Sequence, residues 1–276
     1  MASATRVREP KPVRWSLRVI VTAYVFVLVL WPVSLVVRYT FADGLTALST
    51  ALAEPDVRQA LRLTVTVALV AVAVNLVFGV GISLLLVRYE FPGKRVLSAL
   101  IDVPLSVSPI VVGLALLLVY SPRTGLFGKG LSEAGIQVIF ASPGMVMATV
   151  FVALPLVIRE VVPVLQEIGD EQEQASQSLG ANAFQTFRRI TLPSIKWAVV
   201  YGVVLALARS LGEYGAVKVV SGNVTGQSRT ATMIVESKYQ GFEQPAAYAV
   251  AFLLAMASVV CIVIVGILRP STGDHS

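Results

Sequence analysis

The sequence predicts an all-α integral membrane protein with about six transmembrane helices and one polar cytoplasmic hairpin. Three observations carry that expectation. The chain is 56% hydrophobic and only 14% charged, with a mean hydropathy of +0.79, whereas soluble domains carry about 25% charged residues. Six apolar runs reach the roughly 20 residues needed to span a bilayer. Between the fourth and fifth runs lies a single polar island, Gly169 to Pro193.

Composition also removes function classes. One cysteine and one histidine give no disulfide framework and no His/Cys metal site. Cys261 lies in an apolar run and reads as a small hydrophobe, and His275 as a solvated tail residue. The net charge of +6 sits between apolar spans instead of on one basic face. It therefore reads as topology signal, with no nucleic-acid partner. The Walker pattern G-x-x-x-x-G-K-[ST] is absent: Gly128-Lys129 has Arg123 where the first glycine belongs and Gly130 where Ser or Thr belongs. No Ser/His, His/Glu or paired-aspartate constellation falls in the spans, so an intramembrane enzyme is disfavoured.

Taken in order, residues 1–15 read as an irregular cytoplasmic tail rich in Arg and Pro. A signal peptide is excluded because the apolar run continues to about Val37 and no small-residue cleavage site follows. The spans are placed at Ser16 to Val37, Leu63 to Val87, Val96 to Tyr120, Pro143 to Val161, Trp197 to Val220 and Ala246 to Leu268. This divides the chain into a tail (1–15), a first helix with external loop (16–62), a core (63–268) with its hairpin at 169–193, and a cytoplasmic tail (269–276). Alternating the loops puts thirteen Lys and Arg on the starting side and eight on the other, with Arg209 inside a span. By the positive-inside rule both termini, and the hairpin, are expected in the cytoplasm of a cell-membrane protein.

The third run carries Asp102, Pro104 and Pro109 in its cytoplasmic half. Each proline removes a helix hydrogen bond and favours a kink. The stretch reads either as a bent helix packed through Ser106, Ser108 and Gly113 or as a lining of the pathway, with Asp102 near Lys94 and Arg95. The fifth run carries Arg209-Ser210-Leu211-Gly212-Glu213-Tyr214-Gly215. Arg209 and Glu213 are four residues apart, hence on one helix face. Ten Val and Leu residues in this run contribute about 3 to 6 kcal/mol to insertion, and two mid-helix charges cost about 5 to 7. The two sums nearly cancel, so the charged face must meet protein or water. It reads either as a translocation pathway or as a structural pair, with Gly212 and Gly215 allowing close backbone approach.

The hairpin is locally encoded. Asp170 with Glu173 forms a capping-box pattern, Gly180 suits the left-handed residue that ends a helix, and Asn182 with Gln185 repeats the cap. Phe184, Phe187 and Ile190 are expected to share one face of the second short helix, and Pro193 to start the next span. Two short capped helices between spans suit docking into a partner as well as a plain interfacial loop.

These residues resemble the "EAA" signature of bacterial ABC importer permeases: Glu-Ala-Ala, three residues, Gly, nine residues, Ile, one residue, Leu-Pro. From Gly180 and Ala181 the gap ends at Ile190-Thr191-Leu192-Pro193, a full match. Gln174-Ala175-Ser176 occupies the first part, with Glu173 adjacent to the substituted glutamate. The stretches Ile101 to Leu114 and Gly212 to Asn223 are similar to sulfate/thiosulfate permease subunits of the CysW type, and molybdate permeases share part of them. The resemblance implies a type I importer permease fold in which the hairpin is a coupling helix. It also implies a heterodimer with a sister permease, two ATPase subunits that use ATP and Mg, and an extracytoplasmic sulfate-binding protein. This chain itself would hold no cofactor. The alternatives are a molybdate/tungstate permease and a stand-alone secondary anion transporter coupled through Asp102, Arg209 and Glu213.

Overall fold

The computed structural model describes residues 11–268 apart from residue 43, and among these there is no strand. Helix α1 (Lys11–Val25) continues through a π-turn at Phe26–Leu30 into α2 (Trp31–Thr40). The expected tail is thus helical from Lys11. Pro12 sits in the first turn, where its missing N–H would be unpaired anyway, and residues 1–10 and 269–276 fall outside the described chain.

After the short α3 (Thr46–Ala53), α4 (Pro55–Arg88) runs for 34 residues, about 51 Å of helix. Since the hydrocarbon core is about 30 Å thick, its first turns stand outside the span expected from Leu63. They have a reason to be ordered: Val57 and Ala60 pack with Ala51, Ala231, Ile234, Ala249 and Val250. That cluster joins α3 and α4 to α13 (Ala231–Gln240) and α14 (Gln244–Leu268). The loop expected from Ser221 to Pro245 therefore contains a packed helix. Lys238 of α13 fixes it further, bonded to Glu243 and ion-paired with Glu54 beside the start of α4.

The third expected span is two helices. Helices α5 (Lys94–Ser106) and α6 (Pro109–Tyr120) meet at 114°. Val107 and Ser108 between them are both extended, with ψ of 139° and 134°. Proline disfavours the helical region for the residue before it, so Pro109 ends α5 and starts α6, while Pro104 is accommodated inside α5. Ser106 and Ser108 are exposed instead of packed. Gly113 alone makes the expected close contact, since a Cβ there would lie 2.8 Å from the Ala216 carbonyl oxygen.

After α7 (Gly128–Glu133) comes α8 (Ser142–Ile168), then α9 (Glu171–Ser178) and α10 (Ala183–Thr186), a second π-turn at Phe187–Thr191, α11 (Leu192–Leu211) and α12 (Gly215–Ser221). Among the described residues, five helical segments are long and apolar enough to cross a membrane, or six if α5 and α6 count as one span. The interior core joins α4, α8 and α11 through Val72, Val80, Val157, Val161, Ile195 and Ala206. By contrast α1 buries none of its most apolar window.

Candidate functional site: a clasped hairpin and a broken span

The hairpin ends follow their caps. Helix α9 closes with Gly180 at φ +87°, its N–H donating to the Gln177 carbonyl, while the Ala181 N–H reaches the Ser176 carbonyl. This 5→2 and 6→1 pattern satisfies the last carbonyls of the helix. Asn182 and Gln185 form the reciprocal capping box, at 2.9 and 3.0 Å. Ser176 and Thr186 hydroxyls, 3.0 Å apart, tie α9 to α10.

The first capping box does not form. Asp170 makes no side-chain cap and instead accepts from the Gln174 amide at 2.8 Å. Glu173 turns inward: Oε2 accepts from Arg88 Nε at 2.9 Å, and Oε1 from the Thr191 hydroxyl at 2.7 Å. Arg88 also donates to the carbonyls of Leu165 and Gly169. One guanidinium at the end of α4 thus joins the end of α8, the start of α9 and, through Glu173, the turn before α11. Both side chains are largely buried, where a charge-assisted pair is worth more than on the surface. The substituted position, Gln174, carries none of this.

The outer side of the hairpin is open. Leu179 is 90% exposed and Phe184 69%, and Ala175, Gly180, Ala181 and Ile190 line a shallow concavity beside them. Phe184 and Phe187 do not share a face as expected. Phe187, the first residue of the π-turn, packs onto the α4–α8–α11 core, whereas Phe184 on α10 is exposed. Leu192 and Pro193 begin α11.

The fifth expected span breaks at Gly212-Glu213-Tyr214. Glu213 Oε2 lies 2.7 Å from Arg209 Nη1, an ion pair set off the hydrogen-bonding line, and Oε1 accepts the Ala216 N–H at 3.0 Å. The carboxylate, 2% exposed, therefore caps α12, where an acid also meets the positive end of the helix dipole. Its backbone carbonyl accepts from the Thr232 hydroxyl at 3.0 Å, which ties the break to α13. Gly215 gives the expected close approach, since a Cβ there would meet Pro109 at 3.2 Å, whereas Gly212 faces no other helix. The neighbouring Ser210 hydroxyl is buried and returned to the Ala206 carbonyl.

Asp102 is paired with Arg159 of α8 at 2.9 and 3.2 Å, not with Lys94 or Arg95. Lys94 is taken by Glu90 one turn away. The apolar span of α11 ends at Leu211, and beyond it Lys218 of α12 donates to Glu236 of α13 and to the Tyr214 hydroxyl. Those hydrogen bonds raise the Lys218 pKa above its ordinary 10.5 and lower that of Glu236 below 4.5. Arg88, Thr191 and Arg159 are the residues that sequence reasoning left out of the site. Arg88 and Arg159 read as topology charges, because partners 85 and 57 residues away leave no local pattern.

The family model for "Binding-protein-dependent transport system inner membrane component" matches residues 75–273. The chain belongs to that family, in its sulfate permease branch. It is 43% identical to the sulfate transport system permease protein CysW of Synechococcus elongatus, over 92% of this chain and 88% of that one. To CysW of Escherichia coli K12 it is 38% identical, over 98% and 94%. The sulfate permease protein CysT of Salmonella typhimurium is 37% identical over 79% of each chain. In fold it is similar to a bacterial ABC transporter involved in alginate import, with a TM-score of 0.78 at 15% identity over 93% and 94% of the chains. The all-α importer-permease architecture is therefore that of this multi-pass membrane protein.

Proposed function

We propose that this chain is the non-catalytic permease subunit of an ATP-driven importer that moves sulfate or thiosulfate into the cytoplasm. Its relatives of both CysW and CysT type support pairing with a sister permease. An alginate transporter solved with its periplasmic binding protein supports delivery by an external anion-binding protein. Two cytoplasmic ATPase subunits use ATP and Mg, and this chain holds no cofactor. Both termini and the hairpin face the cytoplasm.

The observation that carries this reading is the clasped hairpin. A docking element that transmits force needs an exposed apolar tip and a rigid root. Leu179 and Phe184 supply the first, and the Arg88–Glu173–Thr191 network supplies the second. A partner pulling on α9 and α10 acts directly on the ends of α4, α8 and α11, so closure of the ATPases is turned into helix motion. A gradient-driven carrier gains no such support, since Asp102, Arg209 and Glu213 are each already paired inside the chain.

The test is reconstitution of the chain in proteoliposomes with its sister permease, ATPases and binding protein. Labelled sulfate should accumulate only with ATP and binding protein present, and competing thiosulfate should reduce it more than molybdate. Uptake by this chain alone from an ion gradient would sink the reading.

A further inference from the structure

Helix α5 carries a polar stripe that faces a groove shared with α8. On α5, Lys94, Ser98 and Asp102 recur every four residues, so they share one face. On α8, Gln166, Val162 and Arg159 recur at four and three. Lys94, Ser98, Val162 and Gln166 line one open groove together with Arg95. Its inner end is the Asp102–Arg159 pair, one turn beyond Ser98 and Val162. The stripe from Lys94 to Asp102 is about 12 Å long.

That pair is the unusual feature. Its side chains are 49% and 58% exposed, although exposed apolar side chains, Leu100 and Val103, flank Asp102 on α5. Charged groups at membrane depth face protein or water, not lipid. A long arginine can extend to the headgroups, but a short aspartate about 12 Å in from Lys94 cannot. The groove's acids are both spoken for, Glu90 by Lys94 and Asp102 by Arg159. Arg95 is exposed and unpaired among the described residues, so the groove is net positive.

We propose that the α5–α8 groove is a binding track for a tetrahedral oxyanion, and that it is the cytoplasmic exit of the transported cargo. This rests on the importer reading above. Arg159 is the guanidinium that the anion meets first, competing with Asp102 for it, and Arg95 with Lys94 receives the anion at the mouth. A guanidinium suits the task because its planar fork matches two oxygens of a tetrahedral anion. Asp102 keeps Arg159 neutralised between passages and supplies the repulsion that lets the anion leave.

The decisive comparison is Arg159→Met against Arg159→Met combined with Asp102→Met, in the full complex in proteoliposomes, reading labelled sulfate uptake beside binding-protein-stimulated ATP hydrolysis. If the pair were only a lock between helices, the double change would recover what the single change loses, because it strands no charge. A track predicts that both variants lose uptake by about tenfold, as expected for one charge-assisted contact, while stimulated hydrolysis persists. Recovery in the double variant overturns the proposal. Should the single variant fail to assemble, the double still gives the answer. The same oxyanion chemistry on a lipid headgroup is separated by Arg95→Gln, assayed in purely zwitterionic vesicles and in vesicles containing anionic phospholipid. An uptake defect in both supports cargo, and a defect confined to anionic vesicles overturns the exit track in favour of a lipid site. Wild-type complex that takes up no sulfate at all would fail the importer reading separately.

Discussion

Two glutamates beyond opposite ends of α11, Glu173 and Glu213, are both drawn inward and both paired with an arginine, yet they do different jobs. Glu173 is bound to Arg88, 85 residues earlier, so its pair connects four elements and gives the hairpin a fixed root. Glu213 is bound to Arg209, four residues earlier, and spends its other oxygen on the Ala216 N–H, so it stabilises a break within one span. The same chemical pair thus acts as a clasp when its partners are remote and as a cap when they are adjacent. What separates them is how many backbone groups depend on each arginine: Arg88 serves two carbonyls besides the carboxylate, whereas among the described residues Arg209 serves the carboxylate alone.

The clasp depends most on Arg88. Replacing it with Met takes a side-chain donor from two carbonyls and leaves a largely buried carboxylate with the Thr191 hydroxyl in place of its counter-charge. Removal of one partner of a buried pair costs about 3 to 5 kcal/mol. Because the loss falls on the root of the hairpin, amide hydrogen exchange should rise across α9 and sulfate uptake should fall while ATP hydrolysis continues. Unchanged exchange in α9 would show that the hairpin is held by its caps and the Ser176–Thr186 contact instead.

Arg209→Met should cost less. Glu213 keeps the Ala216 N–H, and Arg209 is part exposed, so the pair is partly screened and about 1 to 2 kcal/mol is expected. Thermal unfolding in detergent measures it, with exchange at the Ala216 amide as the local readout. A loss as large as that at Arg88 would mean that Arg209 reaches beyond its own span and acts as a clasp too.

Legibility in the sequence follows the same division between local and remote. The spans were readable because insertion depends on summed hydropathy, and the Gly180 stop and the Asn182 box because caps are set by residues three or four apart. The Arg209–Glu213 pair was readable for the same reason, although the break it caps was not: Gly212 and Gly215 lower helix preference, but the decision was made by packing against Pro109 and Ala216's partners on α6. Asp170 and Glu173 show the opposite case. The local pattern was a capping box, and a remote guanidinium outcompeted it. The 114° fold at Val107–Ser108 was legible as a kink from its prolines but not as a reversal, because its size depends on what α6 packs against. Helix α13 escaped for want of an apolar run, since it is held by the Lys238 contacts and the α3–α4–α14 cluster.

The smallest expected effect concerns the outer link between Lys218 and Glu236, which joins α12 to α13 and so supports the cap region from outside. Its hydrogen bond lowers the Glu236 pKa, so its contribution is present above the ordinary value of 4.5 and is lost as pH falls through the lowered one. The Lys218 pKa is raised, so its contribution is present below 10.5 and is lost as pH rises through the raised one. The two windows overlap across the whole neutral range. The stability difference between wild type and Glu236→Gln should therefore stay flat from about pH 6 to 9, measured by thermal unfolding in detergent. A difference that vanished inside that interval would mean that another titrating group controls α13, and that the cap at Glu213 is less insulated from its surroundings than the clasp at Glu173.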